Sequence, residues 1–273
     1  MEKGSSRITN KTIYTILLMV CIMGFWYFEN FYTPATCNPP DGEGPTTEIP
    51  DYFIPSSTTG AVVRHNHFWL SYNEPFEQAE WVAYSLENWH LTSDNRDRPM
   101  FIEDPLVKSK SADWRNYRGS LYDRGHLCPA GDRRFSEDAY NETFYTSNIA
   151  PQNRAFNSGV WHRLESQVRS WCKRYGTLHV VTGGVLQDGL SSIGEEDVAV
   201  PKAYYKIIAR GTRGNIKVLA FLIPHRESAA SLNHFLVPVE EVERLTGINF
   251  FEGLPDEQED NIENHVGAQG WKF

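Results

Sequence analysis

The chain has 273 residues, of which 40% are hydrophobic and 13% aromatic, and this composition excludes a mostly disordered protein. Its net charge of −9 argues against a uniformly basic nucleic-acid-binding protein. The charge is uneven, however, because residues 96–134 contain nine Lys or Arg against six acidic residues, so a nucleic-acid partner is not excluded.

The N-terminal region has the composition of a membrane segment. Residues 12–28, TIYTILLMVCIMGFWYF, carry no charge and follow a basic segment over residues 1–11. As a helix they span about 26 Å, and their aromatic outer end suits a membrane interface. We predict a transmembrane anchor or signal sequence over residues 12–30. The basic flank then predicts that the rest of the chain is exported to a periplasmic or extracellular location, or secreted if the segment is cleaved.

Residues 31–60 are rich in Pro, Gly, Ser and Thr, which predicts a flexible linker to one folded domain over residues 61–273. A long helix is expected at 156–175 and a short helix at 238–247. Strands are expected at 67–73, 80–88, 177–186, 204–210 and 217–224. Because strands and helices do not alternate regularly, we predict an α+β fold with a mixed, largely antiparallel sheet and flanking helices.

Three cysteines, Cys37, Cys128 and Cys172, follow the apolar segment, an odd number in a compartment expected to be oxidising. One disulfide and one free thiol fit this number, and the sequence does not choose the pair. No CxxC motif is present, so a structural zinc site is not indicated.

The stretch LYDRGHLCPAGDRR at 121–134 places many polar groups at the predicted end of a strand. His126 follows Gly125, and a glycine there permits a tight backbone bend that projects the imidazole. An imidazole with a pKa near 6.5 suits proton abstraction from water at neutral pH, and Asp123 could orient the ring. The alternative is a histidine with a purely structural role.

The long predicted helix carries a polar residue on its apolar face. Asn157 projects among apolar residues such as Trp161 and Leu164, where an amide is unfavourable unless it is hydrogen-bonded or binds a metal. Considered alone, the helix favours a capping role for Asn157. Further oxygen ligands lie nearby in the sequence, in Asn148, Gln152, Asn153 and Glu165. Neutral oxygens with one carboxylate suit a hydrated hard cation such as Mg²⁺.

Basic residues near these groups complete a set of side chains for phosphodiester hydrolysis. Arg98 or Arg96, together with Arg169, would hold a phosphate and its developing charge. His126 would activate water, and one Mg²⁺ would stabilise the phosphate and the leaving oxygen.

Three motifs together resemble the DNA/RNA non-specific endonucleases, which are ββα-metal nucleases: DRGH at 123–126, NIAPQ at 148–152 and FNSGVWHRLE at 156–165. The resemblance covers roughly residues 60–251. It implies a strand–strand–helix metal site within a mixed sheet and a Mg²⁺ cofactor that Mn²⁺ can replace. It also implies DNA and RNA as substrates, and a homodimer.

The resemblance implies a role for each site residue. His126 matches the general base, and Asn157 matches the direct protein ligand of the metal. Glu165 matches the acid that holds the metal through a water, and Asn148 matches a site-shaping amide.

The arginines match substrate-binding positions. Arg169 corresponds to an arginine near the phosphate, Arg98 is preferred over Arg96 as the upstream arginine, and Arg124 belongs to the DRGH motif. Cys128 stands where a small residue is common in the family.

Two other functions remain as alternatives. One is a catalytically silent nucleic-acid-binding or DNA-uptake module on the same scaffold. The other is a zinc hydrolase that uses His65, His67 or His162, although these histidines lack an HExxH spacing.

Overall fold

The computed structural model describes residues 10–31 and 48–273. The chain divides into two compact units, residues 1–39 and 40–273. Cys37, most of the predicted basic segment and the larger part of the predicted linker lie outside the described residues.

The first unit contains one helix, α1 (Asn10–Phe31). Its residues 10–28 have a mean hydropathy of 1.6, so the helix is long and apolar enough to cross a membrane. A signal sequence has the same length and composition, and the anchor therefore stays a prediction.

The second unit is built from strands and short helices. In chain order the strands are β1 (Val62–Arg64), β2 (Trp69–Asn73), β3 (Gln78–Leu86), β4 (Tyr122–His126), β5 (Ile149–Asn153), β6 (Leu178–Gly184), β7 (Ser192–Ile193), β8 (Val198–Ala199), β9 (Ala203–Arg210), β10 (Lys217–Pro224) and β11 (Leu236–Val237). The helices are α2 (Glu137–Glu142), α3 (Arg154–Phe156), α4 (His162–Tyr175), α5 (Val239–Thr246) and α6 (Asp256–Glu263). A kinked segment at Asn157–Trp161 lies between α3 and α4, and its Gly159 has a non-helical φ of −99° and ψ of −109°.

A seven-stranded sheet in the order β1-β2-β3-β6-β9-β10-β11 forms the centre of this unit, and each neighbouring pair is antiparallel. Strands β4 and β5 form a separate antiparallel pair, and so do β7 and β8. The predicted α+β class with a largely antiparallel sheet is confirmed. The five predicted strands and both predicted helices are also present, within a few residues of their expected bounds.

The sheet is covered on both faces, because its strands are apolar on both sides. All nine residues of β3 are buried. Val82 belongs to the core on the side of α4, together with Leu164 of that helix. Its neighbour Trp81 belongs to the opposite core, together with Val242 of α5. Because successive side chains of a strand point to opposite faces of the sheet, β3 contributes residues to both cores.

The second core also contains residues from before the predicted domain start. Ile49 and Phe53 are 7% and 3% exposed and pack in that core. The folded unit therefore begins before residue 61, because apolar side chains within the Pro-rich stretch are buried against the sheet.

Candidate active site

Strands β4 and β5 form a strand–strand–helix unit together with the helical segment that follows β5. They pair antiparallel, with Tyr122 opposite Asn153 and His126 opposite Ile149. His126 is the last residue of β4, and the chain leaves β5 straight into α3. This arrangement is the one that the motif order predicts.

Gly125 has a different role from the predicted backbone bend. It lies inside β4, and a Cβ atom there would come within 2.2 Å of Cδ of Gln152. The position therefore requires glycine because the fully buried Gln152 side chain packs across it.

The helix cap is provided by Asn153. Its Oδ1 accepts hydrogen bonds from the backbone N–H groups of Ala155 at 2.9 Å and Phe156 at 3.3 Å. Asn157 instead begins the kinked segment Asn157–Trp161, which follows the first turn of the helix. Capping therefore does not explain Asn157.

The Asn157 amide is oriented by the DRGH strand. Its Nδ2 donates to Oδ2 of Asp123 at 3.3 Å. Its Oδ1 makes no hydrogen bond to any residue that the structure describes, so this oxygen is free to bind a ligand. Asn157 also lines two adjoining cavities, of 410 and 290 Å³.

We call the smaller of these the catalytic cavity and the larger the arginine cavity. The catalytic cavity is lined by His126, Arg134, Asn157, His162, Glu165 and Arg169, among others. The arginine cavity is lined by Arg98, Trp114, Arg118, Arg124, Arg154 and Asn157, among others. Two cavities that share Asn157 thus contain most of the predicted site residues, namely His126, Glu165, Arg169, Arg98 and Arg124. The other candidates, Asn148, Gln152, Asn153 and Arg96, line neither cavity.

His126 is held as a neutral imidazole. Burial, followed by the nearby positive charges of Arg98 and Arg124, lowers the pKa of His126 to about 3. Its Nε2 is buried and has no hydrogen-bond partner within residues 10–31 and 48–273, and its ring packs edge-on against Phe144 at 5.0 Å. Nδ1 also has no such partner and is the less buried ring nitrogen of a residue that lines the catalytic cavity.

Glu165 and Arg169 form one network with Asp132. Nε of Arg169 donates to Oδ1 of the buried Asp132 at 2.5 Å, and Nη2 lies 3.6 Å from Oε2 of Glu165. Burial raises the pKa of Glu165 to about 7, so a cation bound beside this carboxylate would favour its ionised form. Asp132 fixes the arginine in place.

Asn148 lines neither cavity and is completely buried. Its Oδ1 accepts from the backbone N–H of Cys128 at 2.8 Å. Its Nδ2 donates to the carbonyls of Cys128 at 3.0 Å and Thr143 at 2.9 Å. Asn148 is therefore positioned to fix the turn that follows His126, rather than to touch a substrate.

Cys128 and Cys172 are buried free thiols, so neither contributes to a disulfide. Burial raises the pKa of the Cys128 thiol to about 12, which leaves it protonated and unreactive at neutral pH. Cys128 serves as a small core residue.

The structure favours Arg98 over Arg96 as the upstream arginine. The Arg98 guanidinium lies 5.4 Å from the centre of the Phe101 ring and faces the arginine cavity. Nε of Arg96 instead donates to the backbone carbonyl of Arg134 at 3.0 Å.

Several residues near the site were not singled out from the sequence, among them Asp132, Trp114 and Lys206. Lys206 is fully buried, and its ammonium lies 4.7 Å from the centre of the Trp161 ring without a hydrogen-bond partner in the described part of the chain. A lysine within the otherwise apolar stretch YYKII was a signal that could have identified it.

The zinc-hydrolase alternative is not supported. Nε2 of His65 pairs with Asp104 at 2.8 Å, and Nδ1 of His67 pairs with Glu142 at 2.7 Å, both in buried surroundings. Among the described residues, no cluster of three or more His, Cys, Asp or Glu side chains could hold a metal ion. One amide oxygen and one carboxylate, as in Asn157 and Glu165, fit a hard cation that keeps most of its waters.

Comparison with known proteins gives concordant matches. The family model described as DNA/RNA non-specific endonuclease matches residues 46–257. "Endonuclease G, mitochondrial" from Bos taurus is 35% identical over 80% of this chain and 77% of its own length. "Nuclease EXOG, mitochondrial" from Danio rerio is 32% identical over 88% of this chain and 73% of its own.

A solved structure is similar in fold as well. It is titled "Crystal structure of the EndoG/EndoGI complex: Mechanism of EndoG inhibition" and aligns with a TM-score of 0.65 at 30% identity. The alignment covers 72% of this chain and 88% of the matched chain.

The names of the relatives correct the predicted location. "Mitochondrial nuclease" from Saccharomyces cerevisiae, 31% identical over 72% of this chain and 68% of its own, is named for the same organelle as the two relatives above. The expectation of a periplasmic, extracellular or secreted domain is therefore wrong. A basic flank and an apolar segment indicate that the N-terminal region interacts with a membrane, but they do not specify which membrane.

Proposed function

The chain belongs to the DNA/RNA non-specific endonuclease family and is a nuclease, and from this premise we propose that it hydrolyses internal phosphodiester bonds of both DNA and RNA with Mg²⁺, which Mn²⁺ can replace. The observation that carries the proposal is the position of Asn157. Asn157, whose amide oxygen has no hydrogen-bond partner among the described residues, lines both cavities, with a neutral His126 in one and several arginines in the other.

The residues of the site fit a hard divalent cation. Asn157 Oδ1 would bind the cation directly, and the Glu165 carboxylate would hold it through a water. Both residues line the catalytic cavity and supply oxygen ligands. When bound, Mg²⁺ supplies positive charge to the phosphate and the leaving oxygen.

His126 acts as the general base in this proposal. In the tautomer that carries its proton on the buried Nε2, Nδ1 is the acceptor that takes the proton from the attacking water. Burial is the main cause of the low pKa of His126, and a phosphate held by Arg98 and Arg124 would offset the two positive charges that lower this pKa further. Substrate binding would therefore strengthen the base at the time when it is needed.

Arginines hold the substrate. Arg169, oriented by Asp132, acts from the catalytic cavity, and Arg98 and Arg124 act from the arginine cavity. Contacts to phosphate read little base identity, which supports broad activity on DNA and RNA. Asn148 keeps the turn after His126 in place. The expected homodimer stays a prediction.

We further propose a mitochondrial location, with α1 as a membrane anchor and the folded unit that includes residues 48–273 as the nuclease domain. The mitochondrial names of the relatives and the apolar composition of α1 support it. Alkaline carbonate extraction of purified mitochondria should leave the full-length protein in the membrane pellet, because carbonate releases peripheral proteins but not membrane-spanning ones. Recovery in the soluble fraction would contradict the anchor.

Digestion of circular DNA tests the proposed activity. With Mg²⁺ or Mn²⁺, the full-length protein in detergent is expected to convert supercoiled plasmid to open-circular, linear and short products, and to degrade single-stranded RNA. EDTA should abolish both activities, because Asn157 and Glu165 then have no cation to hold. A gel-shift of intact plasmid without shortening under all conditions would instead support the silent binding module.

A further inference from the structure

The arginine cavity carries more positive charge than the binding of one phosphate group requires. Four arginines line it, Arg98, Arg118, Arg124 and Arg154, against the single acid Asp123. Asp123 is already engaged, because it accepts from Asn157 at 3.3 Å and lies 3.7 Å from Nε of Arg154. In a chain with a net charge of −9, such a concentration of positive charge indicates a site for an anion.

Aromatic rings, rather than carboxylates, position the guanidinium groups of Arg118 and Arg124. The Arg118 guanidinium lies 4.7 Å from the centre of the Trp114 ring. The Arg124 guanidinium lies 4.6 Å from the centre of the Phe101 ring and 5.7 Å from that of Trp114. Neither arginine forms an ion pair with any residue in the described ranges. A cation–π contact orients a guanidinium without neutralising it, so both charges remain available to a ligand.

The geometry of the two cavities suggests what that ligand is. They adjoin at Asn157, and the catalytic cavity has its own arginines, Arg134 and Arg169. A ligand that occupies both cavities must therefore carry two anionic groups in succession, as a nucleic-acid strand does. A stacked base is a poorer occupant of the Trp114 ring, because Arg118 already lies against it.

We propose that the arginine cavity is a subsite for a second phosphate of the substrate strand, adjacent to the phosphate that is cleaved, and that Arg118 and Trp114 build this subsite. This inference rests on the proposed function, because it assigns the neighbouring phosphate of the same substrate. Arg118 contacts the second phosphate, and Trp114 is a positioning residue that holds Arg118 and Arg124.

Binding without metal tests the subsite separately from cleavage. Full-length protein in detergent with EDTA is titrated into fluorescein-labelled thymidine dinucleotides, which carry either one phosphodiester alone or an additional 5′- or 3′-terminal phosphate. One of the two terminal phosphates is expected to lower Kd by about 10-fold, as for a charge-assisted contact. Equal Kd values for all three ligands would overturn the proposal.

Variants identify the residues that recognise the added phosphate. Arg118→Ala should remove most of the gain and should reduce the dependence of log Kd on log salt by about one unit. Arg174→Ala is the matched control, because Arg174 is exposed, packs 5.9 Å from the Tyr175 ring and lines neither cavity. The assignment would be overturned if Arg118→Ala kept the gain in affinity from the added phosphate. It would also be overturned if Arg174→Ala lost that gain to the same extent.

Trp114 is tested by a pair of substitutions. Trp114→Phe keeps an aromatic face for Arg118 and should keep most of the gain, whereas Trp114→Leu should lose it. Equal gains in the two variants would refute the positioning role. If the wild-type protein shows the gain but cuts no nucleic acid with any divalent metal, the proposed function fails and the anion subsite stands. If it cuts but shows no gain, the subsite fails alone.

Discussion

Replacing His126 by alanine is expected to lower the rate of Mg²⁺-dependent plasmid cleavage by about 10³-fold, within the range that general-base catalysis supplies. The structure gives the reason. His126 lines the catalytic cavity as a neutral imidazole whose ring packs against Phe144, and its Nε2 is buried, which leaves Nδ1 to accept a proton. The measurement is the initial rate of supercoiled plasmid loss at saturating Mg²⁺.

Binding and folding should survive this substitution. Arg98, Arg124 and Arg169 remain to hold phosphate, so the Kd for a DNA oligonucleotide measured in EDTA should change by less than about threefold. His234→Ala serves as a control, because His234 is exposed and lines neither cavity. Cleavage by His126→Ala above about 1% of the wild-type rate would show that another group acts as the base.

Replacing Asn157 by alanine is expected to lower cleavage by about 100-fold or more at millimolar Mg²⁺, because the free amide oxygen is the proposed direct ligand of the cation. The rate should be measured as a function of Mg²⁺ concentration. Asn157→Asp, which keeps an oxygen at this position, should retain more activity than Asn157→Ala.

Asn153→Ala is the informative control for Asn157. Asn153 caps the same helix, so its loss should reduce the free energy of unfolding by about 1 kcal/mol while the Mg²⁺ concentration for half-maximal activity stays unchanged. If Asn157→Ala instead behaves like Asn153→Ala, with lower stability and a normal response to Mg²⁺, the assignment of Asn157 as a metal ligand is refuted.

Much of the fold could be predicted because its signals are local. The two-residue alternation of strands and the apolar stripe of the helix at 156–175 are properties of neighbouring residues, and they gave the five main strands and both helices. The short strands β4 and β5 were not predicted as a pair from their composition, because both carry polar residues such as Asp123 and Gln152. The resemblance to a family supplied that unit instead.

The kink in the helix was not predictable by the same reasoning. The wheel of a regular helix placed Asn157 among the core residues Trp161 and Leu164, where a polar amide is unfavourable. The segment Asn157–Trp161 instead departs from helical geometry at Gly159, with φ −99° and ψ −109°, and Asn157 is half-buried and lines two cavities, whereas Trp161 is fully buried. Local propensity rules assume one helical period throughout and cannot detect this change.

The sequence by itself determined the fold class and the family, and it predicted the residues that carry the chemistry, because hydrophobic period and motif order can be read from short stretches of chain. Only the tertiary structure decided which polar groups meet. It placed Arg98 at the arginine cavity and Arg96 against the backbone carbonyl of Arg134, assigned the cap to Asn153, joined Arg169 to Asp132 and placed Arg118 and Arg124 beside Trp114. The partner of a polar side chain depends on how distant segments pack together, and no local pattern in the sequence encodes that packing.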